Sequence, residues 1–423
     1  MKLRYLLVVN PTTPAELRIQ SDRLVPFIPM EALGEDGSVD TTRERAVAEL
    51  LTGYSYFGNG DVLMAKVTPC FENGKAALVQ TIPGGHGFGS TEITTLRTSE
   101  GLEPAFLYYL VRSDHFRQAS IASMAGAGGL KRVPDEHIRS FEVLVPADIE
   151  QRSIASFLDR ETAKIDALIA KQEQLIATLR EDRAATITQA ITKGLDQSVE
   201  LCRTGIDFMD AIPSHWSVRK LKHLVERFEQ GVSPQASAEL AAEGWGVLKS
   251  GCVNGGVFKE IEHKKLPKDF EFDERLAVAV GDLLVCRASG SPNLVGSAAI
   301  VQKLGYQLIL SDKIFRLTPY RRSSLNYLEW ALNARPYREQ VLGAISGAEG
   351  LANNLPLSSL RNFWFADPPI AEQQEIARFL GERCTKIDSL IAKSTEMIET
   401  LREYRSALIT NAVTGKIDVR EAV

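Results

Sequence analysis

Two long segments of the chain carry apolar residues at the spacing of one face of an α-helix. In each segment, isoleucine, leucine and methionine recur at steps of three and four residues. No proline or glycine interrupts residues 150–193, and Gly194 then supplies a residue type that commonly ends helices. A helix of this length would measure about 60 Å, at about 1.5 Å per residue. The apolar positions are Ile165, Leu168, Ile169, Leu175, Ile176 and Leu179 in the first segment and Ile387, Leu390, Ile391, Met397, Ile398 and Leu401 in the second.

This apolar face is wider than a two-stranded coiled coil requires. Ile169 and Ile176, like Ile391 and Ile398, add a third column to the two columns that such a coil needs. Two interpretations stay open: the third column packs on the protein's own globular domains, or a helix of another protein docks against it.

The two helical segments are copies of one sequence. "KIDALIAK" begins at Lys164 and "KIDSLIAK" begins at Lys386, 222 residues further on. At this offset residues 150–196 align with residues 372–418 without gaps, and about half of the positions are identical. Weaker matches upstream relate "GDVLMAK" to "GDLLVCR" and "GAGGLKRVP" to "GAEGLANNLP". The pattern predicts an internal duplication, in which each copy has a variable part of about 150 residues and a well-matched part of about 50.

The variable parts alternate short β-rich runs with turns and helical stretches. "DVLMAKV", "FEVLVP" and "DLLVCRA" are typical of strands, whereas "EPAFLYYLVRSDHFRQA" is typical of a helix. We therefore predict an α+β protein with two α/β domains separated by two long antiparallel helices, a coiled coil with pseudo-two-fold internal symmetry. The antiparallel direction follows because a compact domain usually has its termini close together, so the first helix must end near the start of the second. The predicted boundaries are 1–147 and 197–369 for the domains, and 148–196 and 370–423 for the helical segments, the last with a C-terminal tail.

Composition limits the classes of function. Hydrophobic residues make up 44% and charged residues 24% of the 423 residues, as in globular proteins. The net charge of −5 lacks the basic excess that usually accompanies nucleic-acid binding. Five dispersed cysteines and six dispersed histidines predict neither a disulfide framework nor a metal site, and they suit a cytoplasmic location. No stretch is long and apolar enough to span a membrane, and the short apolar run at the N-terminus is not expected to be a signal peptide.

Motifs for catalysis are largely missing from the sequence. An adenine methyltransferase would place an aromatic residue after "DPP", but "DPPI" at Asp367–Ile370 has isoleucine there and directly precedes a helix, where proline is common. The sequence has no GxxxxGK[ST] phosphate loop, so ATP hydrolysis is not expected. Glu262 and Lys264 form the E-x-K fragment of many nucleases without its upstream Pro-Asp partner. The chain is therefore predicted to bind partners rather than to catalyse a reaction itself.

Several of these segments resemble the specificity subunit of type I restriction–modification systems. "PPIAEQQEIARFL" (Pro368–Leu380) and "PADIEQRSIASFL" (Pro146–Leu158) are similar to the start of the family's conserved helix, and "KIDSLIAK" and "AVTGKID" are similar to its continuation. "GIDFMDAIPSHWSVRKLKHLVE" (Gly205–Glu226) resembles the opening of a target recognition domain, and "GDLLVCRASGSPNLVGSAAIV" (Gly281–Val301) resembles its central hairpin. The resemblance covers essentially the whole chain. One departure is the N-terminus, where "MKLRYLLVVNP" replaces an "IPSHW"-like opening.

The resemblance implies that each variable domain is a target recognition domain, which reads one half of an asymmetric bipartite site in double-stranded DNA. The two helices would fix the gap between the half-sites and dock two modification (methyltransferase) subunits. Restriction/translocase subunits would complete the complex. S-adenosylmethionine, ATP and Mg²⁺ are expected on those partners only, so this chain is expected to be non-catalytic, with no cofactor or metal of its own.

Candidate DNA contacts are polar residues in loops at matching positions of the two copies. Reading base edges needs hydrogen-bond donors and acceptors, and loops on a rigid scaffold can present them. The alternative for each residue is an ordinary solvated turn position. The candidates are Lys66, Thr68, Ser90, Thr91, Glu92, Lys131 and Arg132 in the first copy, and Arg287, Ser289, Ser291, Asn293, Ser311, Asp312, Lys313, Asn353 and Asn354 in the second.

Candidate contacts with partner subunits lie on the long helices. They comprise the apolar positions given above together with Glu150, Gln151, Glu372 and Gln373 at the helix starts. The alternative for this last group is a first helical turn whose acidic residues favour the helix dipole.

Two rival functions stay open. A self-contained DNA methyltransferase or endonuclease would turn over substrate without a partner. A structural coiled-coil scaffold without a DNA role would select no sequence from a random duplex pool, even with methylating subunits added.

Overall fold

The chain divides into two compact units in the structure, a computed structural model that describes residues 1–126, 129–345 and 353–419. Unit 1 comprises Met1–Gln174 with Ser394–Val423, and unit 2 comprises Leu175–Lys393. Each long helix contributes residues to both units. Parts of the repeated segments "GAGGLKRVP" and "GAEGLANNLP" lie outside the described residues.

Unit 1 contains two four-stranded sheets among its described residues. Its elements are β1 (Leu7–Val9), α1 (Ala15–Arg18), β2 (Leu24–Ile28), β3 (Glu44–Ala46), α2 (Val47–Leu50), β4 (Ser55–Gly58), β5 (Val62–Ala65), β6 (Ala76–Leu78), β7 (His86–Gly89), β8 (Ile93–Thr98), α3 (Pro104–Arg112), α4 (Asp114–Ser123) and α5 (Asp135–Ser140), followed by the long helix α6 (Asp148–Lys193). One sheet has the order β1-β8-β5-β6 and is antiparallel throughout. The other has the order β3-β2-β7-β4, in which β2 and β7 are parallel.

Unit 2 has a four-stranded and a three-stranded sheet and three strand pairs in the part that the structure describes. Its elements are β9 (Leu201–Ile206), β10 (Met209–Pro213), β11 (Ser217–Lys220), β12 (Val225–Gln230), β13 (Trp245–Leu248), β14 (His263–Lys265), β15 (Leu283–Cys286), β16 (Ala288–Ser289), β17 (Ala298–Ile300), β18 (Gln307–Ile309), β19 (Ile314–Pro319), α7 (Leu325–Ala331), α8 (Arg335–Ala344), β20 (Asn353–Asn354), α9 (Leu357–Asn362) and β21 (Trp364–Asp367), followed by the long helix α10 (Ile370–Val413). The sheets have the orders β12-β19-β15-β17 and β14-β13-β18. The strand pairs are β10–β9, β11–β21 and β16–β20.

The two units share one topology. The sheet β12-β19-β15-β17 repeats the order and the antiparallel pairing of β1-β8-β5-β6, and the parallel pair β13–β18 repeats the pair β2–β7. The opening segments also correspond, because the N–H of Leu3 donates to the carbonyl of Phe141 (3.0 Å) as the N–H of Leu221 donates to that of Phe363 (2.9 Å). "MKLRYLLVVNP" therefore occupies the structural place of residues 217–230, although its sequence departs from the family pattern. These findings confirm the predicted mixed fold with internal symmetry.

The two long helices run antiparallel within each unit. In unit 1, Asp166 pairs with Arg405 (2.9 Å), and α6 residues before Asp166 share a core with α10 residues after Arg405. In unit 2, Arg183 pairs with Asp388 (2.9 Å), and α6 residues beyond Arg183 share a core with α10 residues before Asp388. The two ion pairs are equivalent, since both the aspartates and the arginines lie 222 residues apart. α6 ends at Lys193, and Gly194 then adopts φ +74°, as predicted for a glycine that terminates a helix.

Candidate DNA interface

The three predicted loops of unit 1 are joined by backbone hydrogen bonds. Lys66 follows strand β5, and its N–H donates to the carbonyl of Glu92 (2.9 Å) while its carbonyl accepts from the N–H of Val133 (2.9 Å). Thr68 N–H donates to the carbonyl of Lys131 (3.1 Å), and Thr68 Oγ1 accepts from the N–H of Lys131 (3.0 Å). These loops, which carry residues 66–68, 90–92 and 131–132, form one hydrogen-bonded unit that we call loop frame 1.

Unit 2 builds the same arrangement from its own three loops. Arg287 follows strand β15, and its N–H donates to the carbonyl of Lys313 (2.8 Å) while its carbonyl accepts from the N–H of Leu355 (2.9 Å). Ser289 pairs with Asn353 where β16 meets β20. We call the loops that carry residues 287–293, 311–313 and 353–354 loop frame 2. The sequence placed these candidates in separate loops, and the fold brings each set together.

The candidate side chains differ in exposure. Ser311 is buried, 5% exposed, and its Oγ accepts from the N–H of Lys313 (3.4 Å), as Ser90 Oγ accepts from the N–H of Glu92 (3.4 Å). The Ser311 side chain, a candidate DNA contact in the sequence, is therefore enclosed within its turn. Thr91, Lys131, Arg132, Asn293 and Lys313 are exposed, and Lys66, Thr68, Ser90, Glu92, Arg287, Ser289, Ser291, Asp312, Asn353 and Asn354 are half-buried.

Several half-buried candidates in loop frame 2 make hydrogen bonds within the frame and so stabilise it. The guanidinium of Arg287 donates from Nη1 to the carbonyl of Asp312 (3.0 Å). Asn353 Nδ2 donates to the carbonyl of Gly290 (3.3 Å), and Ser289 Oγ accepts from the N–H of Ser291 (3.3 Å). Contact of either frame with DNA stays a prediction.

The repeated "GD" pattern has a structural role that the sequence analysis missed. Asp61 is 1% exposed and accepts two hydrogen bonds from Arg97 (2.8 and 2.6 Å) and one from a backbone N–H three residues earlier (2.7 Å). The hydrogen bond to Asp61 raises the pKa of Arg97. Asp282 accepts in the same way from Arg316 (3.1 Å) and from a backbone N–H three residues earlier (3.0 Å). The aspartate thus fixes the turn before the strand that leads into each loop frame.

Gln151 fastens the start of α6 to the domain of unit 1. Its side chain is fully buried, and Oε1 accepts from the N–H of Glu103 (2.8 Å). Its Nε2 donates to the carbonyls of Gly101 (3.0 Å) and Pro146 (2.9 Å). A buried amide with its donors and acceptor satisfied internally ties two segments together.

Gln373 makes the equivalent connection at the start of α10. Oε1 accepts from the N–H of Ser324 (2.7 Å), and Nε2 donates to Asp367 Oδ1 (3.1 Å) and to the carbonyl of Pro368 (2.9 Å). Gln373 is 2% exposed. The prediction that Gln151 and Gln373 contact partner subunits is therefore corrected: both side chains are enclosed by the chain's own segments.

The glutamates beside these glutamines differ between the units. Glu372 accepts from Trp216 Nε1 (2.9 Å), and its other oxygen lies 2.8 Å from His215 Nε2. Glu150, the equivalent residue of unit 1, is exposed. The segment that supplies Trp216 follows the β9–β10 hairpin, which has no counterpart among the described residues of unit 1.

Burial sorts the apolar helix positions into columns. Leu168, Leu175, Leu390 and Met397 are exposed, at 44–50%. This outward column consists of two positions that are equivalent in the two copies. The spacing predicted a different set as the third column, namely Ile169, Ile176, Ile391 and Ile398. The inward positions are Ile165, Ile387 and Ile398, which are buried, and Ile169, Ile176, Leu179, Ile391 and Leu401, which are half-buried.

The fragments that resembled catalytic motifs are parts of the scaffold. In "DPPI", Asp367 ends β21, binds Arg219 (2.9 Å) and leads into α10, and burial raises its pKa. In the E-x-K fragment, the side chain of Glu262 lies 3.9 Å from that of Lys249. His263 between Glu262 and Lys264 is buried, and its Nε2 accepts a backbone N–H (2.9 Å).

Across residues 1–126, 129–345 and 353–419, no group of three or more His, Cys, Asp and Glu side chains is arranged to hold a metal ion. In the same ranges, no helix combines the length and apolar character that a membrane crossing requires.

Comparison with known proteins shows that the chain is similar to the specificity subunits of type I restriction enzymes, although no family model matches it. The EcoEI specificity subunit of Escherichia coli is 25% identical in an alignment that is 490 residues long. The alignment covers 97% of this chain and 82% of the relative. A chain from a structural study of complex assembly and conformational transition in the type I R-M system has a TM-score of 0.76 at 17% identity, covering 99% of this chain and 97% of the other. The HsdS subunit of Thermoanaerobacter tengcongensis has a TM-score of 0.56 at 17% identity, covering 99% and 96%. The comparisons confirm the resemblance found in the sequence.

Proposed function

We propose that this chain recognises the DNA sequence for a type I restriction–modification complex, with each loop frame reading one half of a bipartite site in double-stranded DNA. One observation carries the proposal: the two frames have equivalent backbone hydrogen bonds but different side chains. A reader of two unlike half-sites needs this combination of a constant frame and variable donors and acceptors. The relatives' designation as specificity subunits supports the same conclusion.

The construction of the frames suits this task. Base discrimination depends on donors and acceptors held to within about 0.5 Å of the positions that hydrogen bonds to the major-groove edge require. In each frame, backbone hydrogen bonds from the residue after the central strand connect the other two loops, so little conformational freedom is left to lose on binding.

The proposal includes the partners that perform the chemistry. Two modification subunits would bind S-adenosylmethionine and methylate the DNA, and restriction/translocase subunits would use ATP and Mg²⁺. This chain would itself be non-catalytic and cytoplasmic, and its helices would set the gap between the half-sites. The domain boundaries of the sequence analysis belong to the same proposal.

The recognition proposal is tested by sequencing the methylated DNA of cells that carry this chain with its modification subunits. We expect a two-part methylated motif with a fixed gap, which disappears when this chain is deleted. The purified chain alone should transfer no methyl group. A motif without two parts, or methyl transfer by the chain alone, would overturn the proposal.

The outward apolar column supports docking of the modification subunits on the helices. Exposed apolar side chains at equivalent positions of two copies offer two equivalent surfaces, one for each modification subunit. The double variant Leu168→Glu with Leu390→Glu should weaken co-purification of the modification subunits at least about tenfold, because charges would enter an apolar contact.

Ala177→Glu is the matched control for this docking test. Ala177 is exposed on α6, nine residues from Leu168 and therefore on the opposite side of the helix, and its counterpart in the second copy is Glu399. This control should leave co-purification unchanged. Equal losses in the double variant and the control would exclude the Leu168 column as the docking surface.

A further inference from the structure

The two loop frames differ most in charge at one pair of adjacent positions. Arg132 is bridged to Val67 in unit 1 as Asn354 is bridged to Ala288 in unit 2. Lys131 and Arg132 of loop frame 1 therefore occupy the places of Asn353 and Asn354 in loop frame 2. Since the backbones are equivalent, the two frames differ at these positions only in the hydrogen-bonding groups and charges of their side chains.

Lys131 and Arg132 project from a fixed backbone. The N–H of Arg132 donates to the carbonyl of Ala125 (2.9 Å), and the N–H of Ala125 donates back to the carbonyl of Arg132 (3.1 Å). Thr68 Oγ1 binds the N–H of Lys131 (3.0 Å) and donates to the carbonyl of Gly129 (3.1 Å). Both side chains are exposed, and neither has a hydrogen bond or ion pair within the part of the chain that the structure describes. Their donors are therefore free to meet a ligand.

The chemistry of these side chains restricts the base they select. Arginine and lysine carry donors only, and guanine alone presents two adjacent acceptors, O6 and N7, in the major groove. Asparagine carries a donor and an acceptor, which match N7 and N6 of adenine. Loop frame 1 thus presents a donor-only pair that suits guanine, whereas the two amides at the equivalent places of loop frame 2 lack this donor-only character.

A contact with phosphate would not account for this difference. The phosphate backbone has the same charge in both half-sites, so equivalent phosphate contacts would favour a cation in both frames. Instead, two cationic side chains are replaced by two neutral amides on the same backbone.

Building on the proposed function, we infer that Lys131 and Arg132 read guanine in the half-site bound by unit 1. Guanine is not selected at the equivalent position of the half-site bound by unit 2, where Asn353 and Asn354 stand. These four residues are the specificity determinants at this place in the two frames.

The test selects bound sequences from a random duplex pool with the full chain in complex with its modification subunits. For the double variant Lys131→Asn with Arg132→Asn, we expect the preference for one guanine in one half-site to fall about 10- to 100-fold. The other half-site and the gap should stay unchanged. The reciprocal double variant Asn353→Lys with Asn354→Arg should create a guanine preference in the other half-site.

Arg18→Asn serves as the control for loss of positive charge. Arg18 is exposed on α1 and belongs to neither loop frame, so its replacement should leave both half-site motifs intact. Circular dichroism and co-purification of the modification subunits check that each variant folds. The reciprocal variant decides the question if the first double variant does not assemble.

Two results would overturn the inference while leaving the proposed function in place. One is an unchanged motif in the variants, and the other is a uniform loss of affinity for all sequences, which would identify a phosphate contact. Failure of the wild-type complex to select any two-part sequence would instead overturn the proposed function.

Discussion

Unit 1 and unit 2 have the same hydrogen-bonded framework but different surfaces. Gln151 and Gln373, Asp61 and Asp282, and the ion pairs between the long helices occur at equivalent positions and make similar hydrogen bonds, although not every partner is the same. The loop frames, by contrast, share backbone hydrogen bonds and differ in most candidate side chains.

This comparison shows that identity between the copies marks the buried scaffold rather than the loop side chains proposed to contact DNA. A buried polar group must keep its partners, because leaving one unsatisfied costs about 1–3 kcal/mol. The glutamines and aspartates therefore repeat. An exposed loop side chain carries no such cost, so it is free to differ between the units.

The largest loss of stability is expected from replacing the buried glutamine that connects a long helix to its domain. Gln373→Leu keeps the volume but leaves the N–H of Ser324 and the carbonyl of Pro368 without their partner, which should lower the free energy of unfolding of unit 2 by about 2–4 kcal/mol. Tryptophan fluorescence during urea unfolding measures this loss, because all four tryptophans lie in unit 2.

Gln151→Leu should make the equivalent change in unit 1. Its effect should appear in far-ultraviolet circular dichroism, which reports on both units, with little change in fluorescence. Gln374→Leu is the control, since Gln374 is exposed beside Gln373. Equal urea midpoints for Gln373→Leu and Gln374→Leu would contradict the fastening role.

A smaller effect is expected where the units differ, at the glutamates that begin the long helices. Glu372→Ala removes the acceptor of the indole N–H of Trp216, whose side chain is 6% exposed, so unit 2 should lose about 1–2 kcal/mol of unfolding free energy. Glu150→Ala, at the exposed equivalent in unit 1, should change stability by less than about 0.5 kcal/mol. The same urea titrations measure both variants. Equal losses of unfolding free energy would show that the two glutamates contribute equally to stability and would contradict the prediction.

The sequence predicted the large elements well, because they are repeated and periodic. Both long helices, their antiparallel direction and the glycine after α6 followed from apolar spacing, chain connectivity and residue type. The order of the strands did not, since strand pairing depends on contacts between residues distant in the chain, which local patterns do not encode.

The candidate site was predicted in part. Matching loop positions identified the residues that form each frame, but the sequence did not show that backbone hydrogen bonds of Lys66 and Arg287 would join the loops. It also could not separate surface from interior: Gln151, Gln373 and Ser311 look like ordinary polar residues until the fold buries them. The identity of the glutamines between copies was a signal of this structural role.

The smallest expected effect concerns a carboxyl group of unit 2 at a position where unit 1 has none. Burial raises the pKa of Glu329, whose Oε1 accepts from the N–H of Ile300 (2.7 Å), while the equivalent residue in unit 1 is Tyr108. Because the folded-state pKa lies above the ordinary glutamate value, ionisation of Glu329 costs more in the folded state than in the unfolded state. The stability of unit 2 therefore falls as the pH rises through that pKa.

Glu329→Gln keeps the acceptor and removes the charge, so it should abolish this part of the pH dependence. We expect fluorescence-monitored urea unfolding to show no gain near pH 4 and a gain of less than about 1 kcal/mol near pH 8. Asp367, whose pKa burial also raises, contributes in the same direction and stays unchanged in the variant, so the comparison with wild type isolates Glu329. A variant that loses stability near pH 8 but not near pH 4 would show instead that the ionised carboxylate is favourable in the fold, and would contradict the prediction.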